Sequence, residues 1–454
     1  MRHIVTICFL LCSFTLAAQD ALQTYLAHDA FKHATVGFEL RELSTGKTIS
    51  AHNPQLSCTP ASVTKLITTA TAIEVLGADY SFKTQLAIDG SIDSSGVLQG
   101  NLYIIGGGDP TLGSRFFPQS SNFIPAWIEA VRKAGITKIQ GNILAKTSLY
   151  DLNPVPVLWL HEDIGNYYGA GVFALSWSDN TIAVTIENGD VTKEEPEVIN
   201  YVFSNNLQAG IKDSIYFSGQ PFIMQRTIYG TFRPNTTRVE KVDMSNPPSI
   251  LQMYVAEQFQ EKGLPVQRSY FVESNEKTII HTHHSPPLKE IIKQTSFTSN
   301  NNYAEHILKH LALQTDSVAT FNGALQVQRN FWTKKGIDMS GVWLYDGSGL
   351  SPKNAITPAF VCDVLLHMKS NTNFRNSLPV AGESGTVSKF LISTPLKGKV
   401  RVKSGSFRGV QSYAGYISHN EKEYAFCIMV NNFTGARAHV VKLIEQLLNS
   451  VVNG

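Results

Sequence analysis

Ser62 and Lys65 stand three residues apart near the start of an apolar run, Pro60-Ala-Ser-Val-Thr-Lys-Leu-Ile-Thr-Thr-Ala-Thr-Ala-Ile-Glu-Val-Leu-Gly77. Leu66, Ile67, Ala70, Ile73 and Leu76 recur at helical spacing, with Pro60 marking the start and Gly77 the stop. The pattern predicts a helix buried on one side, with Ser62 and Lys65 on a shared face of its first turn. A serine hydroxyl is a weak nucleophile and needs an adjacent base. Lysine serves only if it is neutral near pH 7, and both burial and the positive end of a helix dipole push its pKa down. The bare pattern is not rare: Ser44-Thr-Gly-Lys47 and Ser274-Asn-Glu-Lys277 also match it, in turn-like or polar stretches.

Two further clusters carry chemistry. Ser299-Asn300-Asn301 precedes a second amphipathic helix, Tyr303-Ala-Glu-His-Ile-Leu-Lys-His-Leu. Such residues cap free helix N–H groups; alternatively the hydroxyl relays a proton and an amide holds a substrate carbonyl. Lys403-Ser404-Gly405 lies in a strand pattern, Val400-Arg-Val-Lys-Ser-Gly-Ser-Phe. Glycine inside a strand marks close approach of another backbone. A lysine beside a hydroxyl can grip a carboxylate while the strand edge pairs with an extended peptide. The competing reading is a solvated edge strand blunted by its lysine.

The elements that must position these residues form a mixed α+β chain. Residues 36–42 and 47–52 flank Ser44-Thr-Gly-Lys47 as a hairpin. Between 83 and 285 short strands dominate, with a strand–helix–strand unit near 100–165 built from Asn101–Ile105, a helix near Ile124–Ala134 and Ile139–Ala145. Helices return at 288–294, 303–314 and 318–335, followed by strands at 398–404, 410–418 and 423–431 and a final helix over about 436–452. A frame of 19–82 and 286–454 therefore carries an insertion at 83–285, large enough for two domains. The final helix has an apolar stripe from Val440 to Val452. It suits either a peripheral membrane anchor or a face packed on the terminal sheet, and the absence of a Lys-rich polar face favours the sheet.

Composition sets the boundary conditions. Hydrophobic residues at 43% and charged residues at 16% are globular values, and a net charge of +2 excludes a nucleic-acid partner held by phosphate neutralisation. Arg2 and His3, the apolar stretch Ile4–Leu16 and Ala17-Ala18 form a secretory signal over residues 1–18, too short to span a membrane. The expected location is periplasmic, with no integral span after the signal is removed. The mature chain keeps Cys58, Cys362 and Cys427, which is no disulfide framework. His281, His283 and His284 lack zinc-ligand spacing, so neither metal nor cofactor is expected.

Ser-x-x-Lys, Ser-x-Asn and Lys-Ser-Gly occur in that order, at a helix start, in a loop before a helix and in a strand. This resembles the penicillin-recognising serine acyl-transferases. More than two hundred residues separate Lys65 from Ser299. That spacing resembles the class C low-molecular-mass penicillin-binding proteins, the D-alanyl-D-alanine carboxypeptidase/endopeptidase family. Ser285-Pro-Pro-Leu-Lys-Glu-Ile-Ile, Asp346-Gly-Ser-Gly-Leu-Ser-Pro and Lys403-Ser-Gly-Ser-Phe-Arg-Gly-Val are similar to the same family, and the likeness spans essentially the whole mature chain. Ser404 stands where threonine is common. The resemblance implies a transpeptidase/β-lactamase-like domain, with peptidoglycan stem peptides and β-lactam antibiotics as partners. It implies that Ser62 forms the acyl-enzyme with Lys65 as its base. Ser299 would pass a proton to the leaving amine, Asn301 would orient the substrate, and Lys403 with Ser404 would hold the terminal carboxylate. The N–H groups of Ser62 and Ser406 would form the oxyanion hole, worth ~3–4 kcal/mol per donor. A serine β-lactamase or esterase and a non-catalytic penicillin-sensing or peptidoglycan-binding protein are the alternatives.

Overall fold

The computed structural model describes residues 19–453, so the signal expected at 1–18 lies outside the described residues. The chain divides into two compact units. The first comprises the described residues up to Ala78, Lys289–Gln314 and those from Phe321 on; the second comprises Asp79–Leu288 and Thr315–Thr320.

The first unit is built on a five-stranded antiparallel sheet. Its strands are β1 (Thr35–Glu42), β2 (Thr48–His52), β3 (Val400–Phe407), β4 (Val410–His419) and β5 (Lys422–Asn431), in the spatial order β3-β4-β5-β1-β2. Its helices are α1 (Thr64–Val75), α2 (Leu288–Thr298), α3 (Asn301–His310), α4 (Phe321–Lys334), α5 (Pro358–His367) and α6 (Arg437–Asn453). Tyr424 to Val430 of β5 are buried without alternation, as expected of a strand covered on both faces. On one face Val440, Leu443, Ile444, Leu447, Leu448, Val451 and Val452 of α6 join Phe38, Val402, Ile417 and Ile428 in a single core. The α6 stripe is thus occupied by the sheet and is not available to a membrane surface. On the other face α5 packs so closely that a Cβ at Gly37 would lie 2.9 Å from Pro358 Cγ. No helix among the described residues is long and apolar enough to cross a membrane.

Helix α1 departs from the expected one-sided burial: every residue from Thr64 to Ile73 is buried. Its threonines make this tolerable by turning their hydroxyls inward. Thr69 donates to the Lys65 carbonyl at 2.7 Å and Thr71 to the Ile67 carbonyl at 2.7 Å, while Thr68 donates to the Gly347 carbonyl at 2.7 Å. The segment ahead of α1 is fixed from the sheet. The Asn431 side chain accepts from Thr59 N at 2.8 Å and donates to Thr59 O at 3.0 Å, clamping the backbone of one residue with both amide atoms.

In the second unit, Asp79–Leu288 with Thr315–Thr320, a contiguous core runs from Leu86 through Trp127 and Ile182 to Leu264. The run Ile139–Ala145 is not one strand. It breaks into Lys138–Gln140 and Ile143–Lys146, which belong to different sheets. The break falls at Gly141, where a Cβ would sit 1.8 Å from Gly100 O, so the two chains touch there and diverge. Helices at Pro247–Glu261 and α5 were not anticipated. The three cysteines are free and buried, and no group of three or more His, Cys, Asp or Glu among the described residues is placed to hold a metal ion.

The Asn431 clamp gives a stability prediction. Asn431→Leu keeps the volume but strands a peptide N–H and a C=O, and should cost about 1–3 kcal/mol. A denaturant midpoint within error of the wild type would show that the clamp contributes nothing.

Candidate active site

Ser62 sits in a single 3-10 turn, Ala61–Val63, that runs directly into α1. Ala61 before it takes a positive φ of 48°, and Ser299 takes 54°. Such strain costs of order 1–3 kcal/mol and clusters at functional sites. Lys65 is fully buried. Its Nζ lies 3.0 Å from Ser62 Oγ, 2.6 Å from Asn301 Oδ1 and 2.7 Å from Ser348 O. Burial pushes its pKa down to about 7, against the opposing pull of Glu305 and Asp346. A lysine poised there can receive the proton of Ser62 Oγ at neutral pH.

The choice between capping and chemistry in Ser299-Asn300-Asn301 is resolved by division of labour. Asn300 is the cap of α3, accepting from Tyr303 N at 3.1 Å. Asn301 reaches Lys65, and Ser299 Oγ accepts from Lys403 Nζ at 2.9 Å. Lys403 is also fully buried, and its Nζ donates to Ser404 O at 2.7 Å. Burial first, and Lys65 second, hold its pKa well below the usual lysine value.

The strand reading of Lys403-Ser404-Gly405 holds, and the glycine has its reason. A Cβ at Gly405 would lie 2.5 Å from Pro60 O, 2.8 Å from Ser62 N and 2.9 Å from Val63 N, so the backbone of β3 touches the turn that carries Ser62. β3 is the edge of the sheet. Val402 N donates outward to Pro379 O at 3.0 Å. By two-residue alternation the N–H groups of Ser404 and Ser406 face the same outer edge. All seven residues singled out in the sequence are thereby gathered around one edge.

Three contributors were not assigned from the sequence. Thr386, in the turn Gly385–Val387, places Oγ1 3.1 Å from Ser404 Oγ. Glu305 lies one helical turn beyond Asn301 on α3, and Asp346 opens the loop that supplies Ser348 O. Both carboxylates are fully buried. The signals were present: Glu305 shares the face of Asn301 at i+4, and Asp346-Gly-Ser-Gly is a turn motif.

Comparisons with known proteins give the chain's relatives. The D-Ala-D-Ala carboxypeptidase 3 (S13) family matches residues 18–449. A D-alanyl-D-alanine carboxypeptidase from an Actinomadura species is 26% identical over 92% of this chain and 81% of its own length. The D-alanyl-D-alanine carboxypeptidase DacB of Haemophilus influenzae is 24% identical over 99% of both chains. The crystal structure of penicillin-binding protein 4 from Haemophilus influenzae superposes with a TM-score of 0.81 at 22% identity, covering 92% of this chain and 97% of that one. That protein has also been solved in complex with a β-lactam.

The Lys65 pKa sets a pH expectation. Below about 7 the amine is charged and has no lone pair; above it the base is free. Acylation of Ser62 should therefore rise with pH through a single acid limb near that value. Lys65→Arg, which stays protonated throughout, should be nearly inert; wild-type acylation by it would show that Lys65 is structural.

Proposed function

As a member of the D-Ala-D-Ala carboxypeptidase 3 (S13) family, the chain is a serine D,D-peptidase, and we propose that it acts on peptidoglycan stem peptides through an acyl-enzyme on Ser62. The observation that carries this is the Ser62 Oγ–Lys65 Nζ contact of 3.0 Å, at an amine whose pKa lies at about 7.

In this mechanism the peptide lies along the outer edge of β3, adding a strand to it. Neutral Lys65 takes the proton from Ser62 as Oγ attacks the carbonyl carbon of the penultimate D-alanine. The N–H groups of Ser62 and Ser406 receive the negative charge that develops on oxygen. The C–N bond then breaks as the proton held by Lys65 is relayed through Ser299, bonded to Lys403, to the departing amine, which leaves Lys65 neutral. Water hydrolyses the ester, with Lys65 again taking the proton. Asn301 accepts from Lys65 through Oδ1 at 2.6 Å, which turns its amide nitrogen toward the substrate.

The terminal carboxylate falls to Lys403 and Ser404, with Thr386 beside them. Burial disfavours the Lys403 ammonium. An arriving carboxylate supplies the missing opposite charge and restores it. A D-Ala-D-Ala terminus carries that group on the leaving residue. A D-Ala cross-link to the D-centre of a diamino acid does as well, so one grip serves both carboxypeptidase and endopeptidase reactions. Penicillin, with its own carboxylate, acylates Ser62 by the same route. The leader-like residues 1–18 support secretion across the cytoplasmic membrane to the periplasm, where that substrate lies. The unit Asp79–Leu288 supplies none of the reacting groups.

Mass spectrometry after benzylpenicillin treatment should find one adduct, on the peptide containing Ser62. Absence of the adduct in the wild type, or its persistence in Ser62→Ala, would overturn the assignment. The grip has its own test, comparing a D-Ala-D-Ala peptide with its C-terminal amide. The wild type should strongly prefer the acid, and Lys403→Ala should lose most of that preference, about ten- to hundred-fold in kcat/KM for a charged hydrogen bond of ~1.5–3 kcal/mol. Equal cleavage of acid and amide by the wild type would exclude carboxylate recognition.

A further inference from the structure

The base is held from behind by a second layer of buried charge. Glu305 is fully buried on α3, and its carboxylate accepts from Gly347 N at 2.9 Å and from Ser348 N at 2.6 Å. Asp346 is fully buried in the same loop and accepts from Gly349 N at 2.8 Å, Ser351 N at 2.6 Å and Asn354 Nδ2 at 2.7 Å. The two carboxylates bind the loop from both sides. Between them the Ser348 carbonyl is aimed at Lys65 Nζ, 2.7 Å away. The loop has no freedom to relax: a Cβ at Gly349 would lie 1.9 Å from Ala61 O, and one at Gly347 2.7 Å from Leu308 Cβ. The backbone bearing Ser62, the loop and α3 are in direct contact.

We infer that Glu305 is a positioning residue for the base: its carboxylate sets the Gly347–Ser348 peptide so that the Ser348 carbonyl orients Lys65 Nζ toward Ser62, and its negative charge complements the ammonium formed when Lys65 takes the serine proton. This rests on the reading of Lys65 as base. The charged groups facing Lys65 are Glu305 from α3, Asp346 from the loop and Lys403 from β3. Lys309, one turn beyond Glu305, lies with its ammonium 4.6 Å from the centre of the Phe321 ring. Burial and the neighbouring Asp346 push the Glu305 carboxyl up, while the N–H groups of Ser348 and Gly347 that it accepts from favour its ionised form. A buried ammonium without any counter-charge is strongly disfavoured. Glu305 and Asp346 supply that charge without touching the amine, leaving its lone pair open to Ser62.

The test is the pH profile of Ser62 acylation by benzylpenicillin in the full chain, for the wild type, Glu305→Gln and Glu305→Asp. Removing a negative charge near Lys65 lowers its proton affinity, so Glu305→Gln should move the acid limb to lower pH by half a unit or more. Its plateau should fall ten- to hundred-fold as the Ser348 carbonyl loses its support. Glu305→Asp keeps the charge at a shorter reach, so its plateau should fall while its limb stays at the wild-type position. A merely structural Glu305 would lower plateau and melting temperature in both variants and leave both limbs unmoved, and that result would overturn the proposal. If Glu305→Gln does not fold, Asp346→Asn replaces it, because it removes the other negative charge beside Lys65 and must move the limb the same way; an unmoved limb there is equally fatal. The two levels of the argument separate cleanly. A wild type without an acid limb, or an active Lys65→Arg, removes the base itself, whereas a normal wild-type limb that neither Glu305→Gln nor Asp346→Asn shifts removes only the role of Glu305.

Discussion

A lysine amine with no solvent exposure cannot keep its charge at the usual cost, and this constraint organises the whole centre. Lys65 is wholly enclosed by α1, α3, the Asp346 loop and the Ser62 turn. Its three acceptors would suit an ammonium, yet burial outweighs them and brings its pKa to about 7. The rest of the first unit maintains that enclosure. Helix α1 is buried from Thr64 to Ile73, and its threonines satisfy themselves on α1 carbonyls and the loop.

Enclosure at this density requires main chains to touch where side chains would keep them apart. Gly405 lets β3 lie against the Ser62 turn, Gly349 lets the loop lie against Ala61, and Gly347 lets it lie against α3. Together they bring the nucleophile, the base and the substrate-binding edge within hydrogen-bond range of one another. A methyl group at any of the three would meet backbone or packed carbon at under 3 Å, and sub-ångström errors at a reacting centre are costly. The positive φ of Ala61 and Ser299 belongs to the same economy of space. Each holds a reacting hydroxyl in a conformation its own sequence disfavours, and the contacts on either side over-determine it.

Legibility in the sequence followed the range of the interaction. The Ser62–Lys65 pair, the loop before α3, the hairpin and the three terminal strands are local patterns, and the chain reads them plainly. The glycine of Lys403-Ser404-Gly405 was read as a site of close approach, though not which backbone would approach. Helix α5 and the helix Pro247–Glu261 were not anticipated, although Thr-Pro and Asn-Pro-Pro stand at their starts. Both are capping signals: Thr357 accepts from Phe360 N and Asn246 from Ser249 N, with proline in the first turn where its missing N–H is harmless. The division at Gly141 depends on a partner forty-one residues earlier in sequence, Gly100, and no local pattern could reveal it. Glu305 was hidden differently. On an amphipathic helix a glutamate reads as solvent-facing, and only the loop folded over α3 makes it a buried acceptor.

The two buried lysines also join substrate recognition to chemistry. Lys65 depresses the charged state of Lys403, and Coulomb's law makes the effect mutual: whichever amine is charged discourages the other. Burial opposes a charge on both. A carboxylate arriving at Ser404 and Thr386 changes the balance at one end only, because it stabilises the ammonium of Lys403, which donates to the Ser404 carbonyl. A charged Lys403 then favours neutral Lys65, the form that can accept a proton from Ser62. A ligand without that carboxylate gives no such bias. On the proposed reading, the grip on the substrate terminus would thus act on Ser62 through the charge on the two lysines. The carboxylates behind Lys65 keep this distribution from becoming too one-sided, since they hold the ammonium of the base within reach when the transferred proton arrives.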